Sequence, residues 1–175
     1  SNVISADQYG IYLYYASNNK LRSNHITMSS SGATGYGIYA YYAVYPMEIS
    51  GNKIVMQSSN QAYGAYVYSS SGVSTNRVQV YNNFFANVSN ASTASVGLYL
   101  RLSNYVNVYY NNFNNTASSG TTRAGLYAYQ GNNVQVKNNC FASPGGGFTQ
   151  YYFTSGIVSS SNYNNMYSTG NIGYY

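Results

Sequence analysis

Apolar and polar positions alternate along this chain. In residues 9–15, YGIYLYY, Ile11 and Leu13 fall on one side and Tyr12 and Tyr14 on the other, and residues 36–42 repeat the order as YGIYAYY. Val134 and Val136 alternate in the same way with Gln135 and Lys137. A period of two marks a strand with one face turned inward. No stretch sustains apolar residues at i, i+3 and i+4, and the abundance of Asn, Gly and Tyr further disfavours helix. The pattern predicts many short strands, rich in β-branched and aromatic residues and broken by Ser, Asn and Gly.

These strands recur. The phrase Gly-apolar-Tyr-apolar stands at Gly10, Gly37, Gly64, Gly97 and Gly125, at intervals of 27, 27, 33 and 28 residues. A second phrase, apolar-x-x-Asn-x-apolar, follows each: Leu21 to Asn24 to Ile26, then the same around Asn52, Asn83, Asn111 and Asn139. Fainter copies begin at Asn2 with Ile4 and end at Asn165 with Tyr167. The Gly-to-Asn distance is 14 or 15 residues in four units and 19 in the third, as expected of loops inserted in a fixed scaffold. Three short strands per unit predict a parallel β-helix of about six coils, each unit one coil and corresponding strands stacked into parallel sheets. Tyrosine among small polar residues also marks disordered low-complexity chains, but such chains have no reason to keep a register.

The recurrent asparagine suggests how the coil turns. Ser23, Gly51, Asn82 and Asn138 precede it and suit a left-handed bend, after which the Asn side chain points into the coil. Stacked at about 4.8 Å, the amides of Asn24, Asn52, Asn83, Asn111, Asn139 and Asn165 are expected to form an internal ladder. One such bond contributes about 1 kcal/mol, and a buried amide left unpaired costs roughly 1 to 3.

Composition narrows the partners. Only 5% of residues are charged, so Ser, Asn, Gly and Tyr carry solubility. The net charge of +5 is spread along the chain, whereas a nucleic-acid surface needs a concentrated basic stripe. The single cysteine, Cys140, excludes an internal disulfide. No apolar run approaches the length of a transmembrane helix, and the 175 residues read as one β-helix domain, a segment of a longer chain or filament.

The two phrases together resemble the right-handed parallel β-helix repeats of the pectin-lyase-like superfamily. The C-terminal run from NNVQVKNNCFASPGGGF to NIGYY is similar to large repetitive surface and secreted proteins of Bacteroidetes-type bacteria. The resemblance implies the fold and an extracellular or cell-surface location. It leaves activity open, because this fold carries lyases, hydrolases, adhesins and passive stalks.

Cleavage of polysaccharides needs paired carboxylates, or acidic residues holding calcium beside a basic proton acceptor. The chain has two carboxylates, Asp7 and Glu48, placed in different parts of successive coils. The expectation is no enzyme, no metal and no cofactor. His25 shares its column with Lys53, Phe84, Asn112 and Cys140, a variety that suits a solvated position. Asn-x-Ser/Thr occurs at Asn87, Asn90 and Asn114, a short motif frequent in such a chain.

With Ile11 and its counterparts inward, Tyr12, Tyr39, Tyr66, Tyr99 and Tyr127 form an outward column, and Tyr14, Tyr41, Tyr68, Arg101 and Tyr129 a second. This face, about 30 Å long at the strand spacing, serves self-stacking, packing against like molecules or neighbouring segments, or glycan binding. The reading is a non-catalytic extracellular module of a surface fibre, stalk, adhesin or filament, whose partner is another copy or a neighbouring segment. The alternative is a carbohydrate-binding or polysaccharide-processing module.

Overall fold

The computed structural model describes residues 1–175 apart from 58, 88–92, 119–121, 153–156 and 175. Every described element is a strand. The first coil holds β1 (Val3–Ala6), β2 (Tyr9–Tyr14) and β3 (Ser17–Arg22), and the second β4 (His25–Met28), β5 (Thr34–Tyr41) and β6 (Val44–Ser50). The third holds β7 (Lys53–Met56), β8 (Gln61–Tyr68) and β9 (Val78–Tyr81), and the fourth β10 (Phe84–Asn87), β11 (Ala94–Asn104) and β12 (Val106–Tyr109). Then come β13 (Asn112–Asn115), β14 (Thr122–Asn132), β15 (Val134–Lys137), β16 (Cys140–Ser143), β17 (Phe148–Tyr152), β18 (Val158–Asn162), β19 (Asn165–Ser168) and β20 (Gly173–Tyr174). Each strand pairs in parallel with its counterpart one coil away, giving sheet A (β1 to β19, seven strands), sheet B (β2 to β20, seven) and sheet C (β3 to β18, six). The chain is a parallel β-solenoid close to the six coils its repeat predicts.

The inward column of sheet A runs Ile4, Ile26, Ile54, Phe85, Phe113, Phe141 and Met166. Phe85, Phe113 and Phe141 stack almost flat, with centroids 5.0 and 4.6 Å apart and interplanar angles of 8° and 3°. This column explains the glycine of the first phrase. A β-carbon at Gly64 would stand 2.4 Å from the Gly97 carbonyl oxygen and 2.8 Å from Cδ1 of Phe85. At Gly37 it would meet the Gly64 oxygen and Cγ2 of Ile54, each at 2.5 Å. Glycine lets the backbone of sheet B lie directly on the apolar column of sheet A.

The asparagine ladder closes the corner between sheets C and A. Each Nδ2 donates to the Oδ1 of the next coil, from Asn2 through Asn24, Asn52, Asn83, Asn111 and Asn139, at 2.9 to 3.1 Å. The same Oδ1 also accepts the backbone N–H of the preceding ladder residue, as in Asn52 to Asn83 at 3.0 Å. The second Nδ2 hydrogen reaches back to a carbonyl of the previous coil, Asn83 to Ile49 at 2.8 Å and Asn111 to Val80 at 2.9 Å. The amide is thereby satisfied on both sides in a buried corner.

The final rung differs from expectation. Asn164, not Asn165, accepts from Asn139 at 3.0 Å, and Asn165 is an exposed residue of β19 paired with Cys140. The ladder residue stands one position before each sheet A strand, so Met166, not Tyr167, takes the inward slot.

The residue before each rung is left-handed, with φ between 53° and 63° at Ser23, Gly51, Asn82, Tyr110, Asn138 and Tyr163. A second left-handed column, Tyr15, Tyr42, Ser69, Leu102 and Gln130, turns sheet B into sheet C. The surplus residues of the third unit lie at that same corner, at 69–77, where a Val73–Asn76 bridge closes the insertion. Ser70 anchors it, its hydroxyl accepting the Ala43 N–H at 3.0 Å.

Sheet A also carries polar inward residues. Met28 and Met56 share a column with Asn87 and Asn115. The Asn115 amide donates to the Ser95 carbonyl at 2.7 Å, and the Ser95 hydroxyl donates to Asn115 Oδ1 at 3.2 Å.

Asn83→Ala or Asn111→Ala is expected to lower stability by roughly 3 kcal/mol, by stranding the amides above and below. Asn132→Ala, at an exposed position, is expected to stay within about 0.5 kcal/mol. Chemical denaturation checks the contrast, and equal effects would remove the ladder from the account.

Candidate functional site

The outward side of sheet B gathers the tyrosines. Tyr12, Tyr39, Tyr66, Tyr99, Tyr127 and Tyr151 share one register column. Tyr14, Tyr41, Tyr68, Arg101 and Tyr129 share the next. A third column, Tyr9, Tyr36 and Tyr63, runs alongside and continues as Val96. Sequence alternation misses it because the glycine interrupts the period of two, so that tyrosines three apart lie on the same side. Tyr9 and Tyr12 sit 5.3 Å apart, and Tyr36 and Tyr39 4.9 Å. The only sequence sign is a tyrosine just before the glycine in the first three units.

The rings pack as a second hydrophobic cluster outside the coil. Tyr9 stacks on Tyr36 at 5.2 Å and Tyr99 on Tyr127 at 4.6 Å, while Tyr66 meets Tyr99 edge-on at 4.7 Å. Tyr63 and Tyr66 retain 8% and 7% of their surface, whereas Tyr12 keeps 50%. The expected columns are thus in place, but the middle of the face is closed by its own rings and the first coil is its open part. Arg101 continues the stack in place of a tyrosine. Its guanidinium lies 5.0 Å from the Tyr68 ring centre and 5.7 Å from that of Tyr129, and donates to the Tyr66 hydroxyl at 3.3 Å.

Burial pushes the Tyr36 and Tyr127 phenols up to about 12, reinforced by neighbouring phenols. Tyr39, Tyr63 and Tyr99 are raised by the same cause.

The carboxylates sit apart from this face. Glu48, on β6, takes a bidentate contact from Arg22 at 2.7 and 2.5 Å, and hydroxyl donations from Ser50 at 2.6 Å and Tyr81 at 2.7 Å. Arg22, Ser50 and Tyr81 hold the carboxyl down to about 2 against the opposing cost of desolvation. Asp7 is exposed between β1 and β2, at the other side of sheet A. His25, Lys53, Phe84, Asn112 and Cys140 all point to solvent in one register column. Of the Asn-x-Ser/Thr motifs, Asn87 is buried and donates to the Ala62 carbonyl at 3.2 Å, Asn114 is half-buried, and Asn90 lies outside the described residues.

Two pH dependences follow. A phenol whose folded pKa exceeds its unfolded one stabilises the fold below about pH 10, and that contribution is lost as pH rises toward 12. Ultraviolet titration is expected to show a group of tyrosines ionising only with alkaline unfolding. For Glu48 the sign reverses, since its depressed pKa stabilises the fold above the ordinary carboxylate range and the gain is lost as pH falls toward 2. Arg22 is half exposed, which screens the pair and keeps the effect small. Glu48→Gln is expected to flatten the acid limb of the stability curve.

Among known families, the one described as "Periplasmic copper-binding protein (NosD)" matches residues 1–96. No curated protein and no solved structure matches the chain. The matched stretch does not fit a copper centre. Met28, Met47 and Met56 are sealed in the core, His25 points outward beside Lys53, and no three His, Cys, Asp or Glu side chains gather among the described residues. Copper donors of the softer kind need to converge with an accessible position, and these do not. The matched stretch covers the first three coils and part of the fourth, and on that match over more than half its length the chain belongs to the NosD family.

Proposed function

We propose that the chain is a non-catalytic structural module of the cell envelope or exterior, a length of surface fibre, stalk, adhesin or filament whose tyrosine face is its contact surface. The observation that carries this reading is the unbroken stack itself. Amide, phenyl and phenol columns run from coil to coil, with side chains spent on holding the register. Glu48 supports the non-catalytic part, because its oxygens are already bound by Arg22, Ser50 and Tyr81. A carboxylate so occupied is poorly placed to move a proton. The periplasmic description of the family supports an envelope or extracellular location.

The open part of the face, Tyr12, Tyr14 and Tyr15, is the place where another copy or a neighbouring segment would add. Sedimentation velocity of the purified chain tests this. Reversible association is expected, weakened at least tenfold by Tyr12→Ser with Tyr14→Ser. A monomer at every concentration would remove the contact role, and release of unsaturated or reducing ends from polygalacturonate would remove the non-catalytic one.

A further inference from the structure

The corner between sheets C and A carries two tyrosines that the stacking account does not use. In four of its six coils the left-handed position before the ladder is Ser23, Gly51, Asn82 or Asn138. Glycine and asparagine adopt positive φ with the least cost and serine is small, whereas a bulky aromatic there is strained. Tyr110 and Tyr163 occupy it with φ of 56° and 57°. Other left-handed tyrosines have a packing reason. Tyr15 stacks on Tyr42 at 4.9 Å and 15°, and Tyr105 lies beneath Arg77 at 5.6 Å. Tyr163, by contrast, is 85% exposed, and Tyr110 is 57% exposed with an edge contact to Tyr109 at 6.4 Å. Two exposed rings on one corner, where the other coils carry Ser, Gly or Asn, point to a use outside the fold.

Both tyrosines line a shallow groove of about 400 Å³ that is open to solvent. Tyr110 and Tyr163 stand on either side of Asn138, two coils and so about 10 Å apart. The floor is the exposed row Asn112, Cys140 and Asn165, neighbours in register. No Asp, Glu, His, Lys or Arg lines the groove. Its polar groups include the amides of Asn112, Asn138 and Asn165, each able to donate and to accept.

We infer that this groove binds one uncharged pyranose ring of a glycan chain, its two faces against Tyr110 and Tyr163 and its hydroxyls on the asparagine amides. Two van der Waals contacts of about 3.5–4.0 Å each, with a puckered saturated ring between, fill the gap between the tyrosines. Amides match hydroxyls, which also donate and accept, and the absence of a cationic side chain favours a neutral ring over a uronate or a sulfated sugar. The site lies on a different corner from the tyrosine face of sheet B, and its failure would leave the structural role of the chain intact.

The test uses the purified chain with cellohexaose, xylohexaose, mannohexaose and chitohexaose, and with trigalacturonate as the charged comparison. Saturation-transfer NMR followed by isothermal titration is expected to show saturable binding of at least one neutral oligosaccharide and weaker or no binding of trigalacturonate. Tyr110→Asn with Tyr163→Asn installs the residue found at Asn82 and Asn138. It is expected to weaken binding more than tenfold while the Tm is unchanged or higher, because strain is relieved. Tyr12→Ser, on the other face, is expected to leave binding unchanged. Failure of all four neutral sugars to saturate, preference for trigalacturonate, undiminished binding by the double variant, or a marked fall in its Tm would each overturn the assignment.

Discussion

In a parallel solenoid each side chain lies about 4.8 Å from its counterpart one coil away, and this enforced adjacency governs which residues the chain can use. Two like charges at that spacing repel by roughly 1 kcal/mol in water and 3 to 4 at an effective dielectric of 20. A column of them accumulates the penalty, while a column of amides or rings accumulates attraction. The sparse charges obey the rule. Lys20 pairs with Glu48, Lys137 with Tyr109 and Asn162, and Arg101 sits between Tyr68 and Tyr129. The low charge and the wealth of Asn and Tyr are therefore two results of one geometric condition.

That condition also made much of the fold legible in advance. The glycine phrase and the asparagine phrase are sequence images of a close approach between two sheets and of a corner. One lets the backbone of sheet B rest on Ile54 or Phe85, and the other turns a left-handed residue into a ladder rung. In the last coil the phrase fits Asn165, with Tyr167 two positions on, but the rung is its neighbour Asn164. The polar column of Asn87 and Asn115, which bonds across to Ser95 of sheet B, has no sequence signal because its earlier members, Met28 and Met56, are apolar, so no residue type recurs.

The tyrosine face shows a different limit. Alternation correctly placed Tyr66 on the outside of the coil, yet outside did not mean exposed. Burial there depends on Tyr63, Tyr99 and their neighbours acting together, which no local pattern encodes. The same lesson holds for Glu48, whose partners Arg22 and Tyr81 lie one coil before and after it. The spacing of coils, once known, brings such residues together.

The direction of the backbone bonds has a mechanical meaning. Strands run around the coil while their hydrogen bonds run along the axis, as from Lys53 N–H to the Asn24 carbonyl and from Phe84 N–H to that of Asn52. Tension applied through the two ends of the chain therefore loads the outermost coil first and peels it from its neighbour, instead of shearing all three sheets together. Each coil released adds about 28 residues of slack, roughly 90 to 100 Å when extended. The coils beneath keep their own contacts. Such a body yields in steps under load and lengthens more than about tenfold before its last coil opens, a behaviour closer to a shock absorber than to a rigid rod.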